Sequence, residues 1–87
     1  MNNTIKKVSV NIKAENWAII SIEGEGTYLQ SYNSIIAART PDGIFLDKET
    51  WNYSTTTGKH RNEFLGETKE ETKKKIKSGE YKLIDLN

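Results

Sequence analysis

The sequence predicts an α+β domain: an antiparallel sheet of about five or six strands with two short helices packed on one face. Three observations carry this expectation. Short runs rich in β-branched and aromatic residues, separated by turn signals, follow one another from Val8 to Ser54. Thr40-Pro41-Asp42-Gly43 is a strong hairpin signal, because Pro presets φ at the first corner and Gly accepts the positive φ that closes the turn. Thr68-Lys69-Glu70-Glu71 is a capping box, placing a helix late in the chain.

Taken in order, Val8, Val10, Ile12 and Ala14 alternate with Ser9, Asn11 and Lys13, the pattern of a half-buried strand. Glu15-Asn16 is a two-residue connection to a second β-rich run, Trp17 to Ile22, so the two should form a hairpin. Gly24-Glu25-Gly26 supplies the next turn. Thr27 to Arg39 fits one long bent strand or two short ones, and Ile35–Arg39 should pair with Ile44–Asp47 across the Pro-Asp-Gly turn. Thr50 to Ser54 alternates large aromatic and small polar residues, predicting a further strand with Trp51 and Tyr53 on one face. Hydroxyl N-caps at Ser54–Thr57 precede a helix of about two turns over Lys59–Leu65, stopped by Gly66. In the second helix Glu70 with Lys74 and Glu71 with Lys75 stand at i,i+4 in the favourable order, and Gly79 ends it. Its apolar content is nearly confined to Ile76, so it should lie on the surface of the sheet. Tyr81 to Leu86 closes the sheet.

With 87 residues there is room for one domain, residues 1–87 with a core of about 5–86. A hydrophobic fraction of 34% is lean, and two Trp, four Tyr and two Phe supply large burial per residue to compensate. Thirteen basic against 12 acidic side chains give a net charge of +1, which argues against a bulk-electrostatic polyanion binder. The absence of Cys excludes thiolate metal sites, disulfides and thiol nucleophiles, and an intracellular location is the default. Lys6 and Lys7 are followed by no apolar stretch, and no run approaches the ~18 apolar residues of a membrane span, so neither secretion nor membrane insertion is expected.

Catalysis needs a group that titrates near neutrality, and His60 stands alone with neither a second His nor a Cys. The carboxylate pairs Glu23/Glu25, Asp47/Glu49 and Glu70/Glu71 lack a specific spacing, and Gly24-Glu25-Gly26 lacks the remainder of a phosphate loop. The expectation is therefore a non-enzymatic protein with no metal or cofactor. The most unusual block runs from Trp51 to Gly66 and interleaves aromatic, hydroxyl, amide and basic side chains. Two accounts fit it. In one it is a recognition surface, with Trp51, Tyr53, Lys59, His60 and Arg61 as partner contacts and an anion-holding helix start at Ser54–Gly58. In the other it is a capped helix whose Trp51, Tyr53, Phe64 and Leu65 are core. A further reading is a nucleic-acid binder in which Lys73, Lys74, Lys75 and Lys77, with Lys59 and Arg61, meet phosphates while Tyr28 or Tyr32 stacks on bases. Glu67, Glu70 and Glu71 neutralise the start of that lysine cluster.

The block Trp51-Asn52-Tyr53-Ser54-Thr55-Thr56-Thr57, with Arg61-Asn62-Glu63-Phe64-Leu65 downstream and Ser31-Tyr32-Asn33 and Thr40-Pro41-Asp42-Gly43 upstream, resembles a pattern in small proteins of phages and mobile elements of low-GC Gram-positive bacteria. The resemblance covers roughly residues 28–87 and is to a domain family of unknown function, so it implies a setting rather than an activity. That setting implies a binding protein acting in the cytoplasm of a bacterial host, most concretely an inhibitor of a host defence complex of the anti-CRISPR kind. At +1 the chain is no acidic DNA mimic. Its partner is then expected to be a host protein or ribonucleoprotein, held through aromatic and Arg anchors.

Overall fold

A computed structural model describes residues 6–87. The expected start of the core at Ile5, and the first five residues of the segment read for a leader, lie outside the described residues. The order of elements is β1 (Val8–Ala14), β2 (Trp17–Ile22), β3 (Gly26–Ser31), β4 (Ser34–Thr40), β5 (Gly43–Asp47), α1 (Thr55–Leu65), α2 (Lys69–Ser78) and β6 (Tyr81–Ile84). The strands form one sheet in the order β1-β2-β3-β4-β5-β6. The fold is α+β as expected. Its sheet is mixed rather than wholly antiparallel, because β6 returns after two helices and pairs parallel with β5, a connection that parallel strands require.

Four hairpins build the antiparallel part. Glu15-Asn16 joins β1 to β2 as expected. The stretch from Thr27 to Arg39 resolves into two strands, turned at Tyr32-Asn33 with Tyr32 at φ 55. Across the Pro41-Asp42 turn, Thr40 faces Gly43, Arg39 faces Ile44 and Ala37 faces Leu46, the expected pairing. Gly26 is required at the β2–β3 corner: its φ is +141, and a Cβ there would lie 2.4 Å from the Arg39 carbonyl oxygen.

The predicted strand over Thr50–Ser54 is instead a series of turns. The Asp47 carboxylate accepts hydrogen bonds from the Glu49 and Thr50 N–H groups and the Thr50 hydroxyl, and the Trp51 N–H donates to the Asp47 carbonyl. The chain is thereby turned away from the sheet, whose β5 flank is already filled by β6. Trp51 packs half-buried beside the core, whereas Tyr53 is 74% exposed, so the two do not share a buried face.

Helix α1 begins four residues earlier than expected. The Ser54 hydroxyl accepts from the Thr57 N–H, and Gly66 ends the helix in the left-handed region. Helix α2 carries the full Thr68/Glu71 capping box. The i,i+4 pairs expected along it are absent from the ion pairs of the described residues: Lys75 reaches back to Glu67 at 2.7 Å. Glu67 also accepts from the Thr72 and Tyr81 hydroxyls. Its carboxyl is pulled up by burial, yet these bonds outweigh that and hold it below the usual range.

Cross-strand register assigns the two faces of the sheet. Ile19, Leu29, Ala37 and Leu46 stand opposite one another across β2–β5. Leu29, Ala37 and Leu46, together with Ile36, Phe64 and Tyr81, make the core, closed by Trp17, Ile19, Ile44, Trp51, Leu65 and Ile76. Both helices lie on this face.

Candidate functional site

On the face away from the helices, register lines up Val10, Ile20, Tyr28, Ala38 and Phe45 in one row across β1–β5, with Lys82 at its β6 end. Val8 beside Ile22 and Ile12 beside Ala18 widen the row at its β1 end. No element of the described residues packs over it. Val8, Val10 and Ile12 are 58%, 57% and 73% exposed. The expectation that β1 is half-buried is thus overturned: its apolar side faces away from the helices, and Ser9, Asn11 and Lys13 face the helix side beyond the reach of either helix. Tyr28, Ala38 and Phe45 floor a shallow depression of about 560 Å³, bounded by the Pro41-Asp42 turn and by Ile84 and Leu86. These three β1 side chains alone leave on the order of 250 Å² of apolar surface in water, which the half-exposed Ile20, Tyr28 and Phe45 extend.

The block from Trp51 to Arg61 is used differently from its recognition reading. Arg61 is 1% exposed. Its guanidinium donates to the Trp51 carbonyl at 2.8 Å, to Asn52 Oδ1 at 3.3 Å and to Asn62 Oδ1 at 3.0 Å, and lies 5.3 Å from the Trp51 ring centre. It anchors the turns after β5 to α1 and is not an exposed contact. Burial lowers its pKa, opposed by the fields of Glu67 and Glu70. Gly58 packs beside it, and a Cβ there would meet the guanidinium at 3.5 Å, an ordinary van der Waals contact.

His60 is also buried, at 9% exposure. Its Nδ1 is 2.8 Å from Ser31 Oγ, which is 3.2 Å from Thr57 Oγ1. The indole of Trp17 stacks on the imidazole at 4.6 Å with the planes 12° apart. Burial pushes the His60 pKa down and Glu63 opposes in part, so the ring is neutral and able to accept from or donate to the Ser31 hydroxyl. A hydroxyl against an imidazole is the contact of a nucleophile and its base. Here, however, Ser31 is 1% exposed, no carboxylate of the described residues hydrogen-bonds the ring, and the neighbouring Tyr32 N–H is taken by the Asn16 carbonyl. The cluster fastens α1 to β3. Ser31 is the partner that sequence reasoning missed, because nothing in the chain pattern links residues so far apart.

Of the five proposed partner contacts, only Tyr53 and Lys59 are exposed, and they line different cavities. The residues of the nucleic-acid reading are also dispersed. Lys73, Lys74 and Lys77 are exposed on α2, while Lys75 is bound to Glu67 and Tyr81, the Glu67 bond raising its pKa most. Tyr28 lies on the opposite face of the sheet from α2, and Tyr32, 47% exposed, is in the β3–β4 turn. The structure thus does not bring the lysines and the tyrosines onto one surface. Among the described residues no three His, Asp or Glu side chains converge as a metal site would require, and no helix is long and apolar enough to cross a membrane.

No curated protein and no solved structure matches the chain. A family of unknown function (DUF8033) matches residues 2–80, beginning well before the segment that carries the resemblance to small phage proteins. Since that match takes in every strand but β6, both helices and the whole apolar row, the chain belongs to the DUF8033 family.

Proposed function

We propose that the protein is a non-enzymatic binding protein that acts by protein–protein contact, and that its contact surface is the open face of the sheet. The observation that carries this reading is the row Val10–Ile20–Tyr28–Ala38–Phe45, apolar from strand to strand and on the face that neither helix covers, with Ala38 buried, Ile20, Tyr28 and Phe45 half-exposed, and a depression at Tyr28 and Phe45 able to receive a partner's side chain. Aromatic side chains are enriched at the centre of an interface and charged ones at its rim, and here the charged groups lie at the border, in the Lys6–Glu25 ion pair and Lys82. The resemblance to small phage proteins supports the finer reading, an inhibitor that seats this face on a host defence protein or ribonucleoprotein complex.

The test is a pull-down from a nuclease-treated lysate of a Gram-positive host, using the wild type, Tyr28→Ser and the double variant Lys73→Glu/Lys74→Glu, each first checked for folding by circular dichroism. A protein partner retained by the lysine variant and lost by Tyr28→Ser is the expected result. Recovery of nucleic acid only, or a partner indifferent to Tyr28→Ser, refutes the proposal.

A further inference from the structure

The free edge of β1 offers an observation independent of the open face. The Glu23 N–H donates to the Lys7 carbonyl at 2.9 Å, and Ser9 and Asn11 stand opposite Ser21 and Ile19. In an antiparallel ladder the residues that turn their N–H and C=O groups toward the neighbour alternate with those that turn them away. Lys7, Ser9 and Asn11 therefore bond to β2, while Val8, Val10 and Ile12 direct theirs outward, where no strand of the described residues meets them. These are also the three residues whose side chains are more than half exposed on the open face. A regular edge carrying apolar side chains is a template for another strand, and proteins ordinarily blunt such edges with lysine, proline, inward charge or a bulge; here Lys7 and Lys13 stand at the ends of the apolar run and none of these devices lies within it. The irregularity in β1 lies between Ile12 and Ala14, beyond the outward-bonding run.

We propose that a second copy of this chain occupies that edge, β1 pairing antiparallel with β1 about a two-fold axis at Val10. The run is self-complementary in that register. Val10 meets Val10 and Val8 meets Ile12 of the second copy, all as hydrogen-bonded pairs with apolar side chains on the open face, while Ser9 meets Asn11 on the other face. The two apolar rows then join end to end, from Phe45 of one copy to Phe45 of the other, in a twelve-stranded sheet. Lys7 comes opposite Lys13 of the second copy at both ends of the seam. An edge seam of this kind also buries less than the ~800 Å² per partner of a standard interface, so the dimer is a weak one. The pairing goes beyond the contact proposed for the open face and leaves that face free.

The experiment is sedimentation velocity of the full chain from about 5 µM to about 1 mM, with Val10→Pro and Ile12→Lys beside the wild type. Proline at residue 10 removes an outward N–H and leaves the bonds to β2 untouched, and the Ile12 side chain is 73% exposed, so Ile12→Lys keeps the fold. The wild type is expected to pass from monomer to dimer within that range, Val10→Pro to stay monomeric, and Ile12→Lys to dimerise at least tenfold more weakly. In a mixed-label sample, an intermolecular NOE between Ser9 Hα and Asn11 Hα fixes the register. A wild type still monomeric at the highest concentration, or two variants that dimerise as the wild type does, overturns the proposal. The sedimentation of the wild type reads the pairing without any substitution on the open face, and the pull-down reads Tyr28→Ser away from the sheet's free edge, so the two proposals fail separately.

Discussion

Acidification through the histidine range is expected to weaken the fold through one side chain. His60 is the single histidine of the chain, it is 9% exposed, and burial between Trp17 and Ser31 holds its pKa below the ordinary 6.5. Below that ordinary value the unfolded chain binds a proton at His60 that the folded protein does not, so unfolding gains as pH falls. The stabilisation is complete above the unfolded pKa and is lost between it and the folded pKa. A single proton limits the slope to about 1.4 kcal/mol per pH unit. Between about pH 7 and about pH 5 the loss therefore reaches at most about 2 kcal/mol, against a total of roughly 4–13 kcal/mol for a domain of this length. Asp47 and Glu67, whose carboxyls are held below their usual range by hydrogen bonds that outweigh burial, act in the same direction only at lower pH. The assay is urea unfolding at about pH 7, 6 and 5 on the wild type and His60→Gln, whose side chain does not titrate. A wild-type midpoint that stays constant across this range, or an equal decline in His60→Gln, would refute the reasoning.

Two further predictions concern stability. Arg61→Ala should cost about 3 kcal/mol or more, because it removes the bonds to Trp51, Asn52 and Asn62 together with the packing on Trp51; chemical denaturation with near-ultraviolet circular dichroism reads both the loss and the loosening of Trp51. Gly26→Ala should cost about 2–4 kcal/mol, since its Cβ meets the Arg39 carbonyl oxygen at 2.4 Å with φ at +141, whereas Gly24→Ala meets nothing within 4 Å and pays only the left-handed φ. Equal thermal midpoints for the two glycine variants would contradict that account.

What the sequence discloses about this fold is what local physics decides. The hairpins at Glu15-Asn16 and Pro41-Asp42 and the capping box at Thr68 depend on residues within a few positions of one another, and each stands where expected. Trp51 and Tyr53 illustrate the limit. Their alternation has the period of a strand, but a strand needs a neighbour with free backbone groups, and β6 had taken the place beside β5. Arg61 misled for a related reason: a guanidinium is usually a surface group, and its burial rests on the Trp51 carbonyl and Asn52 amide oxygens ten and nine residues away as well as on the adjacent Asn62. Alternation in β1 did show that one side of that strand is apolar. It could not show that the helices would cover the opposite face of the sheet, because coverage is decided by where α1 and α2 dock.

The parallel pairing of β6 with β5 has a kinetic consequence. Every other pairing in the sheet joins strands adjacent in the chain across a turn of a few residues, so the five-stranded meander needs only short loops to close. Ile44 and Tyr81 meet only after both helices have been traversed, and the clasps of Leu86 on Asp47 and of Asn87 on Ile35 span a still longer stretch. The meander is therefore the natural nucleus of folding, and docking of β6 the late step that seals the helices onto it. Changes in β6 should then alter mainly how fast the protein unfolds, and changes in the β3–β4 hairpin how fast it forms.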